Sequence, residues 1–187
     1  RREVQREQRR AVEETDPDVV LWWDRLSTMP ILSADGSFVR AGSERFWRLR
    51  MTGLEETVDR LAARGAFIVF VATEPIGIGI RDRCAGWKTR GCVVWRRFRL
   101  RHYADITRSM NGILRRYAAT HPTDAAFVTI TDTICRRDVS PCDDRMWNGE
   151  PARPDGTHYG GLGEIRAAVA IVRELRTAFR TRLATTS

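Results

Sequence analysis

"AFIVFVA", Ala66 to Ala72, is the stretch whose reading decides the fold. It is a short apolar run holding one Ile and two Val, with Gly65 immediately before it. A strand with one wet face alternates polar and apolar residues. This run does not alternate, so it reads as a strand buried on both faces, the kind that parallel sheets contain. Two other runs have the same character: "DVVLWW", Asp18 to Trp23, and "AAFVTITD", Ala125 to Asp132.

The segments between and after these runs have helical spacing. Upstream of Ala66, Ser43 is placed to cap a helix, and Trp47, Met51, Leu54, Val58 and Leu61 recur along one stripe. Gly65 stops that helix. Downstream, Tyr103, Ile106, Met110, Ile113 and Tyr117 form a second stripe, closed near His121 and Pro122. A third helix at the end of the chain is expected to turn Leu162, Ile165, Val169, Val172, Leu175 and Phe179 inward. Residues 2–14 read as a polar, exposed lead-in helix ended by "TDPD". Residues 24–42, with an Asp-Gly turn at Asp35 and Gly36, read as a loop or small hairpin. Strand alternating with helix three times over is the pattern of an α/β domain with a parallel sheet, and 187 residues suit one such domain. Ligands of such sheets bind beyond the carboxyl ends of the strands. The places to look are after Trp23, after Ala72 and after Asp132.

Composition narrows the classes. With 42% hydrophobic and 30% charged residues the chain is globular, not disordered. No apolar run approaches the ~20 residues that span a bilayer. The charged opening "RREVQREQRRAVEE" lacks the apolar centre of a signal peptide, and it reads as an internal cut in a longer protein. A net charge of +8 invites a nucleic-acid reading, and "WRRFRLRHY", Trp95 to Tyr103, interleaves aromatic with basic residues. The cations are otherwise spread along the chain, and all but Lys88 are arginine. The reading taken is therefore a solvated basic face, with no nucleic-acid partner.

Four cysteines fall as two close pairs, Cys84 with Cys92 and Cys135 with Cys142. Neither pair has zinc-site spacing, and three histidines are too few to complete such sites, so no metal is expected. Local disulfides formed in an oxidising compartment account best for the pairs, although four cysteines allow three connectivities.

The chemistry is concentrated in "RPDGTHYGGLG", Arg153 to Gly163. An imidazole with a pKa near ~6.5 can take a proton from a hydroxyl and later return it. It does so well when a carboxylate on its other nitrogen holds the right tautomer. Asp155, three residues before His158, is within reach of that role, and the glycines leave the backbone open around the ring. The alternative is an aspartate that only closes a turn.

"RPDGTHYGGLG" resembles the last block of the SGNH (GDSL-like) hydrolases, where Asp-x-x-His completes a Ser-His-Asp triad. The longer stretch from Cys135 to Gly163 is similar to SGNH domains fused to membrane acyltransferases that O-acetylate surface polysaccharides, and "DVVLWWDR" is similar to the strand leading to that group's third block. The resemblance covers residues 16–182, and only the Asp-x-x-His region is specific. It implies a three-layer α/β/α, flavodoxin-like fold lacking its first strands, with residues 1–187 as the carboxyl-terminal portion of a single domain. It also implies catalytic His158 and Asp155, no cofactor, a glycan or acylated small molecule as substrate, a membrane acyltransferase domain in the same parent chain, and a tethered, extracytoplasmic location. The family's Gly-Asp-Ser motif is absent, and Trp23 and Asp24 stand near the place of its oxyanion-hole asparagine. None of Ser27, Ser33, Ser37 or Ser43 sits in a strand-to-helix turn that would make a nucleophile. The expectation is therefore a base and its orienter, with the serine outside this chain. The competing expectation is a non-catalytic glycan- or partner-binding module with a vestigial triad.

Overall fold

The computed structural model describes residues 2–23, 30–33, 35–80, 100–136 and 142–185. In chain order the elements are α1 (Arg2–Thr15), β1 (Val19–Trp22), β2 (Ile31–Leu32), β3 (Phe38–Val39), α2 (Glu44–Ala62), β4 (Phe67–Val71), α3 (Leu100–Thr120), β5 (Ala125–Val128), α4 (Thr131–Ile134) and α5 (Leu162–Thr185). Strands β1, β4 and β5 form one parallel sheet in the order β1-β4-β5. Val19 pairs with Phe67 at one interface, and Ile68 pairs with Ala125 at the other. Of the loop or small hairpin expected within 24–42, the structure shows a hairpin, β2 and β3 paired antiparallel around Gly36, whose φ of 80° suits glycine.

Strand β4 is central, and all five of its residues are buried. Its side chains divide by parity, as the pleat requires. Ile68 and Phe70 pack with Leu54, Val58 and Leu61 of α2 and with Met110, Leu114 and Ala118 of α3. Phe67, Val69 and Val71 pack on the other side against Leu175, Ala178 and Phe179 of α5. Helices therefore cover both faces of an open parallel sheet, which is why "AFIVFVA" shows no alternation. Two successive crossovers stepping the same way across the sheet, β1 to β4 and β4 to β5, put α2 and α3 on one face, as a constant handedness demands.

Ser43 caps α2 as expected: its φ and ψ are −74° and 159°, and its hydroxyl accepts from Phe46 N. The buried aromatic of that turn is Phe46, however; Trp47 and Met51 are only half-buried.

Three expectations need correction. Strand β1 is an edge strand, not one buried on both faces. Val20 and Trp22 pack toward α2 and α3, but Leu21 is half exposed, because β1 has no described neighbour beyond it and α5 lies over β4 and β5. The third strand stops at Val128, and residues 131–134 coil into the single turn α4, so the exit from β5 comes four residues earlier than Asp132. In α5, Leu162, Ile165, Val169 and Val172 point to solvent, and the buried positions are Ala167 and Ala170, with Leu175 and Phe179 half-buried. The cause is close approach. A Cβ on Gly163 would strike the Ala152 backbone, and one and two turns further on Ala167 and Ala170 pack into the same cluster as Ala152, Ile130 and Ile134. Arg166 and Arg173 then fasten α5 to Thr133 of α4. Among the described residues, no helix is long and apolar enough to cross a membrane.

Candidate active site

Three loops meet beyond the carboxyl ends of the strands. The first leaves β4 as "TEPIGIGI", residues 73–80. The second runs from Cys142 to Met146, and the third is the Arg153–Gly163 stretch. Asn111 on α3 fixes the start of the first, its amide accepting from Thr73 N at 3.0 Å and donating to Thr73 O at 2.9 Å. Cys142 N donates to Ile76 O, and Gly77 N donates to Gly156 O, which lace the three loops together. Side chains are excluded where they cross. A Cβ on Gly77 would overlap Asp144, one on Gly79 would overlap the Arg153 and Pro154 carbonyls, and one on Gly156 would overlap Ile80.

Arg153, Pro154, Asp155 and Gly156 form a turn closed by Gly156 N donating to Arg153 O at 2.8 Å, with Pro and Gly where such turns favour them. Asp155 is the third residue of this turn. Its Oδ1 accepts from Thr157 N at 2.8 Å, the Thr157 hydroxyl at 2.8 Å and His158 N at 2.7 Å. Its Oδ2 lies 2.7 Å from His158 Nδ1. The alternatives posed by the sequence are thus both realised: one carboxylate oxygen closes the turn, and the other holds the ring. Because a carboxylate only accepts, Nδ1 carries the proton in the neutral imidazole, and the Nε2 lone pair is left for chemistry. The His158 side chain is 81% exposed, and among the described residues none hydrogen-bonds Nε2.

Partial burial pushes the Asp155 carboxyl up. The hydrogen bonds from His158 and Thr157 outweigh it and hold the group well below the usual carboxylate range. Tyr159, next in the chain, is mostly buried. Burial and the negative charge of Glu74 push its phenol upward, against the opposing effect of Arg153, so it stays protonated. Its ring faces Trp23 at 6.3 Å between centroids, which brings the end of β1 to the same place as the exit of β4.

Cys135 and Cys142 form a disulfide, with Cα atoms 5.5 Å apart. The expected Cys84–Cys92 bond lies outside the described residues, as does Ser27. Ser33 accepts from Arg45, Ser37 donates to Asp35, and Ser43 caps α2, so these hydroxyls are committed in the hairpin region. Among the described residues no cluster of His, Cys, Asp and Glu could hold a metal ion. A groove of about 720 Å³ between α2 and α3, floored by Tyr117 with His121 stacked on it, lies at the amino end of the sheet, away from His158.

The residues that sequence reasoning did not single out are Asp144 and the side chain of Arg153. Asp144 is fully buried and Arg153 is 2% exposed; Arg153 Nε donates to Asp144 Oδ2 at 2.8 Å. The available signal was the pair of glycines in "EPIGIGI", which marks a close backbone approach without naming what approaches. The chain matches no protein-family model, no curated protein and no solved structure.

Proposed function

We propose that the chain is the carboxyl-terminal part of an SGNH-type, flavodoxin-like domain that moves acetyl groups onto or off an extracytoplasmic glycan. In this reading His158 is the base, Asp155 its orienter, and a serine outside these residues the nucleophile. The observation that carries it is the 2.7 Å contact between Asp155 Oδ2 and His158 Nδ1 beneath an exposed ring. Its position beyond the carboxyl ends of a parallel sheet supports it too. The disulfide fits an oxidising compartment, and tethering through a membrane acyltransferase portion belongs to the same proposal.

His158 Nε2 takes the seryl proton as the serine oxygen bonds to the acyl carbon. The bond from that carbon to the donor oxygen breaks, and the donor oxygen receives the proton. A glycan hydroxyl, or water in the esterase direction, then repeats the steps on the seryl ester and regenerates the serine. The nearby carboxylate stabilises the imidazolium formed in each half.

The test is His158→Ala in the parent protein, followed by measuring acetylation of the surface glycan. Loss of acyl transfer with secretion and fold intact is the expected result. Unchanged transfer ends the catalytic reading and leaves the binding module with a vestigial triad.

A further inference from the structure

We infer that the buried Asp144–Arg153 pair positions His158, by anchoring the first residue of the turn that carries Asp155. The inference rests on the reading of His158 as the base. Arg153 is the start of the Arg153–Gly156 turn through its carbonyl, and its guanidinium spreads over partners from the two other loops. Nε donates to Asp144 Oδ2 at 2.8 Å, Nη1 donates to Pro75 O at 2.6 Å, and Nη2 lies 2.9 Å from Cys142 Sγ in the disulfide. Asp144 uses its other oxygen to accept from Ile78 N at 3.0 Å. The far end of the turn is held as well, since Gly156 O accepts from Gly77 N.

Asp155 therefore lies between two fixed points, and both are fixed to the loop that leaves the central strand. The start of that loop is held in turn by Asn111 of α3, which bonds both backbone groups of Thr73. An exposed turn with a mobile start would let the Asp155 carboxylate alternate between backbone N–H groups and water. Held at both ends, it keeps Oδ2 on the ring. The chemistry of the anchor is specific to arginine, since a planar fork can bind a carboxylate and a carbonyl from different loops together, whereas a lysine is a single point charge. A buried ion pair is a weak source of net stability, so its use here is geometric.

The readout is the tautomer of the neutral His158 ring, read from its two nitrogen shifts by NMR on the isotopically labelled chain. Wild-type protein should show a proton on Nδ1 and a bare Nε2. The double variant Asp144→Asn/Arg153→Met leaves no unpaired buried charge, so it tests the pair without forcing unfolding. It should keep the amide spectrum of β4 and α3 while losing the Nδ1–H preference, so that the two shifts converge. Arg153→Lys should lose the preference in part. A folded double variant with the wild-type tautomer overturns the positioning role and leaves the base intact. A wild-type ring without a preferred tautomer overturns both this inference and the reading of His158 as an oriented base.

Discussion

At Asp155 a single carboxylate closes a turn with one oxygen and orients a ring with the other. This double use makes the residue's contribution pH-dependent in a defined direction. Its folded pKa is depressed below the ~3.9 of an unfolded aspartate. The stabilisation is therefore fully present above that value and is lost as pH falls through the lower, folded one. Urea unfolding of wild type and Asp155→Asn should show a stability gap that is constant above about pH 5 and narrows below about pH 4. A gap that widens in acid would contradict the hydrogen-bond assignment. The Asp-x-x-His step was legible in the sequence because turn chemistry is local: Pro, Asp and Gly state the turn, and three residues set the reach. Asp144 was not legible. It is 66 residues from Ile78 and nine from Arg153, at no helical or strand period, and only the packed fold gives it partners.

Helix α5 shows where periodicity misleads. Leu162, Ile165, Val169 and Val172 recur every three or four residues as a core stripe would, and the opposite face carries Ala167 and Ala170. Small residues hold the inward position: a Cβ on Gly163 would strike the Ala152 backbone, and Ala167 and Ala170 pack with Ala152, Ile130 and Ile134. Val169→Lys should change stability by no more than about 0.5 kcal/mol. Ala170→Leu should cost roughly 1–3 kcal/mol by overpacking. Chemical denaturation of the two variants checks this, and the reverse order of effects would restore the inward stripe. The cysteine loop behaves differently, since close spacing in sequence does mark a bond there. With a sequence separation of seven, joining Cys135 to Cys142 restrains a short loop. Replacing both by alanine should lower stability by about 2.5 kcal/mol in the chain-entropy account. An undiminished denaturation midpoint would show that the bond restrains nothing.

Over the whole molecule, the strand–helix alternation specified a parallel sheet with helices on both faces. What it did not specify was which strand is central, because "VVLWW" and "AFIVFVA" are both continuous apolar runs, and which has strands on both sides is set by the packed fold. The structure puts β1 at an edge, with Leu21 about half exposed, and Trp23, just past its end and also about half exposed, faces Tyr159. The Asp155–His158 contact and the Asp144–Arg153 pair beside it are therefore both in place, while the described serines of the hairpin region are engaged elsewhere. Under the proposed function the nucleophile lies outside these residues, and loss of one triad member typically leaves only ~10³–10⁴-fold catalysis over water from binding and the oxyanion hole. Residues 1–187 alone should thus fail to turn over p-nitrophenyl acetate, and an active-site fluorophosphonate should leave no seryl adduct detectable by mass spectrometry. Robust turnover abolished by Ser27→Ala or Ser43→Ala would instead reveal an internal nucleophile. If, as proposed, a longer parent supplies the serine, the same assay on that parent separates the two functional readings: activity that disappears in His158→Ala supports the enzyme, and activity unchanged in His158→Ala ends the catalytic reading.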